Sequence, residues 1–159
     1  MEAFDELMAD LDPAMLIVTV AEGEEREGCL VGFGTAAGVN PRRFIACLSK
    51  RNRTFDLALR AGAMAVHAVP AGAGELAELF GGETGDEVDK FARCEWREGP
   101  LGLPVLERCG SWFAGRVLGS LDTGDHVAFL VEPVAAERGP DREFLRLRAA
   151  TRIEPGHEA

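Results

Sequence analysis

The chain's apolar residues come in short runs broken by glycine, proline and charged clusters, and these runs never alternate with long amphipathic helices. Met15 to Val20, Gly28 to Gly34, Arg43 to Leu48, Met64 to Val69, Ser111 to Leu121, His126 to Val134 and Glu143 to Leu147 each have the length and the branched or aromatic content of a strand. A parallel sheet needs a crossover helix between successive strands, and the short links here, such as Asp122 to Asp125, can only return the chain antiparallel. The expected fold is therefore mainly β: an antiparallel split β-barrel with short peripheral helices. Helices are expected over Asp5 to Leu11, from Thr54 as N-cap to Arg60, over Glu75 to Phe80 and around Asp86 to Ala92. Ala21 to Glu27 reads as a charged turn. With 159 residues, the chain is expected to form a single domain, 1–159, with its core over about 12–150 and a polar C-terminal tail.

Charge excludes several classes of partner. The 27 acidic residues outnumber the 17 lysines and arginines, giving a formal net charge of -10 that opposes nucleic acid and anionic membrane surfaces. No apolar run is long enough to span a bilayer, and Glu2, Asp5 and Glu6 stand where an export signal would be basic, so a cytoplasmic location is expected. The four cysteines should then be thiols. None of them shows the paired spacing of a zinc or redox motif, and no metal is expected.

Against this acidic background, the window between Glu27 and Asp56 contains no acid, whereas an even spread would place about five there. It does contain Arg42, Arg43, Lys50, Arg51 and Arg53. Burial removes charges of both signs, but here only the negative sign is missing, which points to a surface facing an anion. Ser49, Lys50, Asn52, Arg53 and Thr54 cluster between a strand and a helix start, where side-chain donors and backbone N–H groups suit phosphate. The preceding run Gly32, Phe33, Gly34, Thr35, Ala36, Ala37 superficially matches a dinucleotide fingerprint. However, Gly38 and Asn40-Pro41 would end the helix that such a fingerprint requires. Small residues in this run would instead let a flat ligand approach the backbone. His67 reads as a core or rim residue, His157 lies in the polar tail, and His126 follows a Thr-Gly-Asp turn.

Taken in order, several of these pieces resemble the flavin reductase-like family with its FMN-binding split-barrel fold. They are Gly28-Cys29-Leu30-Val31-Gly32-Phe33-Gly34-Thr35, Asn40-Pro41, Cys47-Leu48-Ser49-Lys50 with Asn52 and Thr54, Lys90-Phe91, Leu103-Pro104-Val105-Leu106 and Gly124-Asp125-His126. The resemblance spans roughly Asp12 to Glu137. It implies that Leu30, Val31, Gly32, Phe33, Gly34 and Thr35 line the isoalloxazine ring and ribityl chain, and that Ser49, Lys50, Asn52, Arg53 and Thr54 hold the phosphate. It also implies that Lys90 and Phe91 close over the cofactor and that Asp125 and His126 meet the nicotinamide, with His126 as the catalytic position. The implied activity is an NAD(P)H:flavin reductase, passing hydride from NADH or NADPH to FMN, with FAD as the alternative. A homodimer is implied, and a separate flavin-dependent oxygenase is a candidate acceptor of the reduced flavin. Leu30, Gly32, Ala36 and Gly38 replace hydroxyl residues common in the family, and Arg42 replaces a second proline. The alternative is therefore a flavin-binding carrier or electron-transfer partner without nicotinamide activity of its own.

Overall fold

The computed structural model describes residues 1–82 and 88–151. Nine strands form among them: β1 Leu16–Glu22, β2 Glu25–Val31, β3 Gly34–Val39, β4 Arg42–Ser49, β5 Ala63–Ala68, β6 Trp96–Glu98, β7 Pro104–Leu106, β8 Trp112–Asp122 and β9 His126–Glu137. Helices are α1 Glu2–Leu11, α2 Arg53–Ala61, α3 Gly74–Gly82 and α4 Leu147–Ala150. Seven strands make one sheet in the order β2-β1-β5-β8-β9-β4-β3, with every neighbouring pair antiparallel. β6 and β7 pair separately as a short ribbon.

The two edge strands of this sheet, β2 and β3, are consecutive in the chain and separated only by Gly32 and Phe33. Laid flat, seven strands would hold their edges about 29 Å apart. Two linking residues reach about 11 Å at most. The sheet must therefore roll until its edges meet, as the expected split barrel requires. No ladder joins β2 to β3 among the described residues, so the barrel stays open along this seam rather than closed.

Two apolar clusters hold the rolled sheet. The interior is filled by Val18, Val20, Cys29, Val31, Leu48, Met64, Val66, Phe129 and Val131, and is plugged by Leu57 and Ala58 of α2. The outer face of β1 and β5 is covered by a second cluster, in which Met15, Ile17 and Val69 meet Leu76, Ala77 and Phe80 of α3 together with Phe91 and Leu106. β1 is thus buried on both faces, which is why Ile17, Val18 and Val20 are all apolar and the one polar residue among them, Thr19, donates its hydroxyl to the Pro104 carbonyl. Packing against α3 also dictates Gly28, where a Cβ atom would fall 2.6 Å from the Phe80 ring.

Several sequence expectations are corrected by the structure. Within Ala21 to Glu27 the turn itself is confined to Gly23 and Glu24, and the charged residues on either side of it pair across the β1–β2 hairpin. Gly28 to Gly34 is two strands, broken at Gly32 and Phe33 by the seam. Glu143 to Leu147 forms no strand: Phe144 and Arg146 make only isolated bridges to Pro70 and Ala14, and α4 begins at Leu147. The cap of α2 is Asn52, whose side chain accepts from the Thr54 N–H. Of the helix expected around Asp86 to Ala92, a 3₁₀ turn over Lys90–Ala92 is present, while Asp86 and Glu87 lie outside the described residues, as does His157.

His67 is fully buried on β5 and ties three strands together. Its Nδ1–H donates to the Ile17 carbonyl at 3.0 Å, and Nε2 accepts from the Leu106 N–H at 3.1 Å, which fixes a neutral tautomer. Burial lowers its pKa to about 4. Because the unfolded chain protonates near pH 6.5, the unfolded state binds the extra proton first as pH falls. The contribution of His67 is complete above pH 6.5 and is lost progressively down to about pH 4. Urea unfolding is expected to show a stability loss of roughly 2–4 kcal/mol from this group over that range. In His67→Gln, which keeps a donor and an acceptor, that part of the pH dependence should disappear; an unchanged profile would contradict this role.

Candidate active site

At the seam, the chain leaves the core. Val31 is buried and Leu30 half-buried, whereas Phe33, Gly34, Thr35, Ala36 and Ala37 are exposed. The Phe33 ring is 57% exposed although its carbonyl accepts from the Cys47 N–H, so an aromatic surface is held rigidly at the barrel opening. A Cβ at Gly34 would fall 2.8 Å from Leu16 Cδ1, so a larger residue there would make the Leu16 side chain shift; Gly32 has ordinary room.

The end of β4 and the start of β9 meet beside Phe33, with Ser49 opposite His126 in the ladder. The His126 ring packs edge-on against Phe33 with centroids 5.0 Å apart. Its Nδ1 lies 2.8 Å from Asp125 Oδ1, so a neutral ring donates from Nδ1 and keeps its lone pair on Nε2. That hydrogen bond, reinforced by the charge of a protonated ring, holds the Asp125 carboxyl below its ordinary range. The turn between β8 and β9 is self-fastened. Thr123 donates from both its N–H and its hydroxyl to the His126 carbonyl, the Gly124 N–H donates to Asp122 Oδ1, and Gly124 takes φ +118°, which favours glycine. Lys50 anchors this turn to the 49–54 loop: its N–H donates to the Asp125 carbonyl, and Nζ lies 2.8 Å from Asp122 Oδ2. The Lys50 hydrogen bond and then the Gly124 N–H lower the Asp122 pKa.

The basic window met in the sequence is answered in space by acids from outside it. Arg43 pairs with Glu132 at 3.4 Å, Lys50 with Asp122, and Arg53 with Glu27 at 3.3 Å. Among the described residues, no ion pair holds Arg42 or Arg51. Loop N–H groups expected to face an anion are also engaged within the loop: those of Arg51 and Asn52 donate to Ser49 Oγ and O, and those of Thr54 and Phe55 donate to Asn52. Thr54 is wholly buried. Its hydroxyl lies against the Cys29 thiol in the interior. Burial raises the Cys29 pKa to about 11, which makes it an unreactive thiol.

Lys90 and Phe91 are both buried. Phe91 packs between Phe80 and Trp96. Lys90 is 5% exposed and donates to the Gly28 and Phe80 carbonyls, both at 3.0 Å. The ammonium thus fastens α3 to β2 just before the seam. Glu27 is the residue that sequence reading passed over; as the first acid bounding the basic window, it carried a usable signal.

A family model for the flavin reductase like domain matches residues 8–149. The chain belongs to this family. An Ancylobacter novellus protein named FMN reductase (NADH) RutF is 28% identical over 144 residues, covering 91% of this chain and 79% of that one. A solved FMN-binding protein from Thermus thermophilus, with bound 1-cyclohex-2-enone, superposes with a TM-score of 0.75 at 26% identity, covering 79% of this chain and 70% of the other. The NADH:FAD oxidoreductase of Streptomyces globisporus gives 0.81 at 24% identity, over 89% and 84%. The shared fold agrees with the open antiparallel barrel found here. At the seam surface Phe33 offers an exposed ring, Gly32, Gly34 and Thr35 leave backbone approachable, and Ser49 and Lys50 stand at the adjoining loop, groups of the kind that would suit a flat ring with a phosphate-bearing chain.

Replacing Lys90 by Met removes its hydrogen bonds to the Gly28 and Phe80 carbonyls and is expected to lower unfolding free energy by about 2–4 kcal/mol in urea titrations. Lys90→Arg should recover part of it. Unaltered stability would show that the fastening is not needed.

Proposed function

We propose that this chain is an NADH-dependent flavin reductase that uses FMN, with the seam between β2 and β3 as the flavin surface and His126 beside the nicotinamide. The observation that carries this reading is the convergence of Phe33, His126, Ser49 and Lys50 at one end of the open barrel. When bound, flavin supplies the hydride-accepting ring, so the protein needs no acid–base dyad of its own.

Leu30, Gly32, Phe33, Gly34 and Thr35 would bind the flavin through backbone groups and the Phe33 ring, with Val31 anchoring the segment from the core. Ser49, whose hydroxyl hydrogen is not used in accepting from Arg51, would donate to the phosphate end, joined by Lys50 and Arg53. Asn52 and Thr54 hold the loop in shape. Asp125 orients the His126 imidazole, and Phe33 limits its rotation, so that Nε2 is directed by two contacts and can position the nicotinamide amide. A homodimer belongs to this proposal. Leu118 and Leu121 on β8 and Val134 on β9 expose apolar side chains that a second copy would cover. A separate flavin-dependent oxygenase would consume the reduced flavin.

With free FMN and NADH at low oxygen, nicotinamide absorbance should fall at a protein-dependent rate, and sedimentation should give twice the 17.1 kDa chain mass. His126→Ala should raise the Michaelis constant for NADH about tenfold or more while leaving FMN affinity near the parent value. No oxidation above background would count heavily against the reductase, and an unchanged constant would remove His126 from the nicotinamide site.

A further inference from the structure

We propose that Arg51 is the residue by which this chain selects FMN over riboflavin: its guanidinium, together with the Ser49 hydroxyl, takes the terminal phosphate. This inference rests on the flavin reading above. The loop over residues 49–54 holds three cations, Lys50, Arg51 and Arg53. Two of them are committed to acids that the fold brings near, Lys50 Nζ to Asp122 Oδ2 at 2.8 Å and Arg53 Nε to Glu27 Oε1 at 3.3 Å. The remaining acid on the facing turn, Asp125, has its carboxylate on His126 Nδ1 at 2.8 Å. Arg51 is exposed, and among the described residues no ion pair or side-chain hydrogen bond engages its guanidinium.

The backbone sets where this cation stands. The Asn52 N–H donates to the Ser49 carbonyl at 3.1 Å, closing a four-residue turn with Lys50 and Arg51 at its two central positions. The Arg51 N–H donates to Ser49 Oγ at 3.3 Å, so the hydroxyl is held beside the Arg51 backbone with its own hydrogen left to donate. A phosphate oxygen that accepts from this hydroxyl is within reach of an arginine side chain rooted there. A guanidinium offers phosphate two parallel N–H donors as well as charge, and one that holds no acid gives up no ion pair on binding. Lys50 and Arg53 meet the same phosphate only while shared with Asp122 and Glu27, and the Glu27 side chain is just 12% exposed. Riboflavin ends in a neutral hydroxyl and gives Arg51 no charge to meet. Arg42 provides the comparison: it too has no ion pair among the described residues, but it opens β4 while Ser49 closes it, about 23 Å away along the strand.

The test is to titrate the full chain separately with FMN and riboflavin, following flavin fluorescence. Parent protein should bind FMN about tenfold or more tighter than riboflavin. Arg51→Gln should weaken FMN about tenfold and leave riboflavin within about twofold of the parent value. Arg51→Lys, which keeps the charge but loses the paired donors, should recover part of that loss. Arg42→Gln should alter neither flavin. Equal binding of the two flavins by the parent would overturn the inference, as would an Arg51→Gln change that leaves FMN unaffected or weakens both flavins alike. An Arg42→Gln loss of FMN affinity as large as that of Arg51→Gln would also overturn it, since the effect would then belong to the overall charge of the window rather than to a contact. Failure of both flavins to bind would instead overturn the flavin reading on which the inference rests.

Discussion

The structure depends on a length constraint: Gly32 and Phe33 must join strands that lie at opposite ends of a seven-stranded sheet. No flat arrangement satisfies that link, so the sheet rolls and its two edges face each other across a short gap. The constraint also explains why the seam is chemically distinct. Edge strands present unpaired backbone groups, and at β3 these come with side chains so small that the backbone is open to approach. A flat ligand with polar edges can use what would otherwise be an aggregation-prone rim. The same link points the Phe33 ring outward, because Val31 before it and Gly34 after it are committed to packing.

The parts around the seam are held by three unlike devices. Lys90 fastens β2 to α3 through two carbonyls, Lys50 fastens the β8–β9 turn to the 49–54 loop, and the Arg53–Glu27 pair fastens that loop back to β2. Each uses a cation that the sequence alone would offer to a ligand.

Much of the fold was legible because its strands obey local rules. Met15 to Val20 and His126 to Val134 are branched and aromatic enough to be recognised, and Asp122 to Asp125 is a plain turn. The extra strand break at Gly32 was not legible, since an apolar run reads the same on either side of a seam. β6 and β7 were missed because strands as short as Trp96–Glu98 and Pro104–Leu106 are defined by their pairing rather than by pattern. Glu143 to Leu147 failed the other way: its apolar residues fill the outer cluster through Leu145 without joining a ladder. Phe33, Ser49, Lys50, Asp125 and His126 lie close together at one end of the barrel. Thr54, Lys90 and Phe91 are buried, and a linear sequence cannot tell a residue that touches a ligand from one that supports the backbone that does. The acid-free window had the same weakness: Glu132, Asp122 and Glu27 pair with three of its five cations from positions that only the fold brings near.

The central claim is that the ligand surface is the seam and the loop beside it. Backbone amide hydrogen exchange, measured with and without FMN, addresses it residue by residue. The account predicts added protection at Leu30 to Ala37, at Ser49 to Thr54 and at Asp125 and His126, with little change in α3 or in the β6–β7 ribbon. Protection confined to α3 and the ribbon, with the seam unaffected, would contradict it.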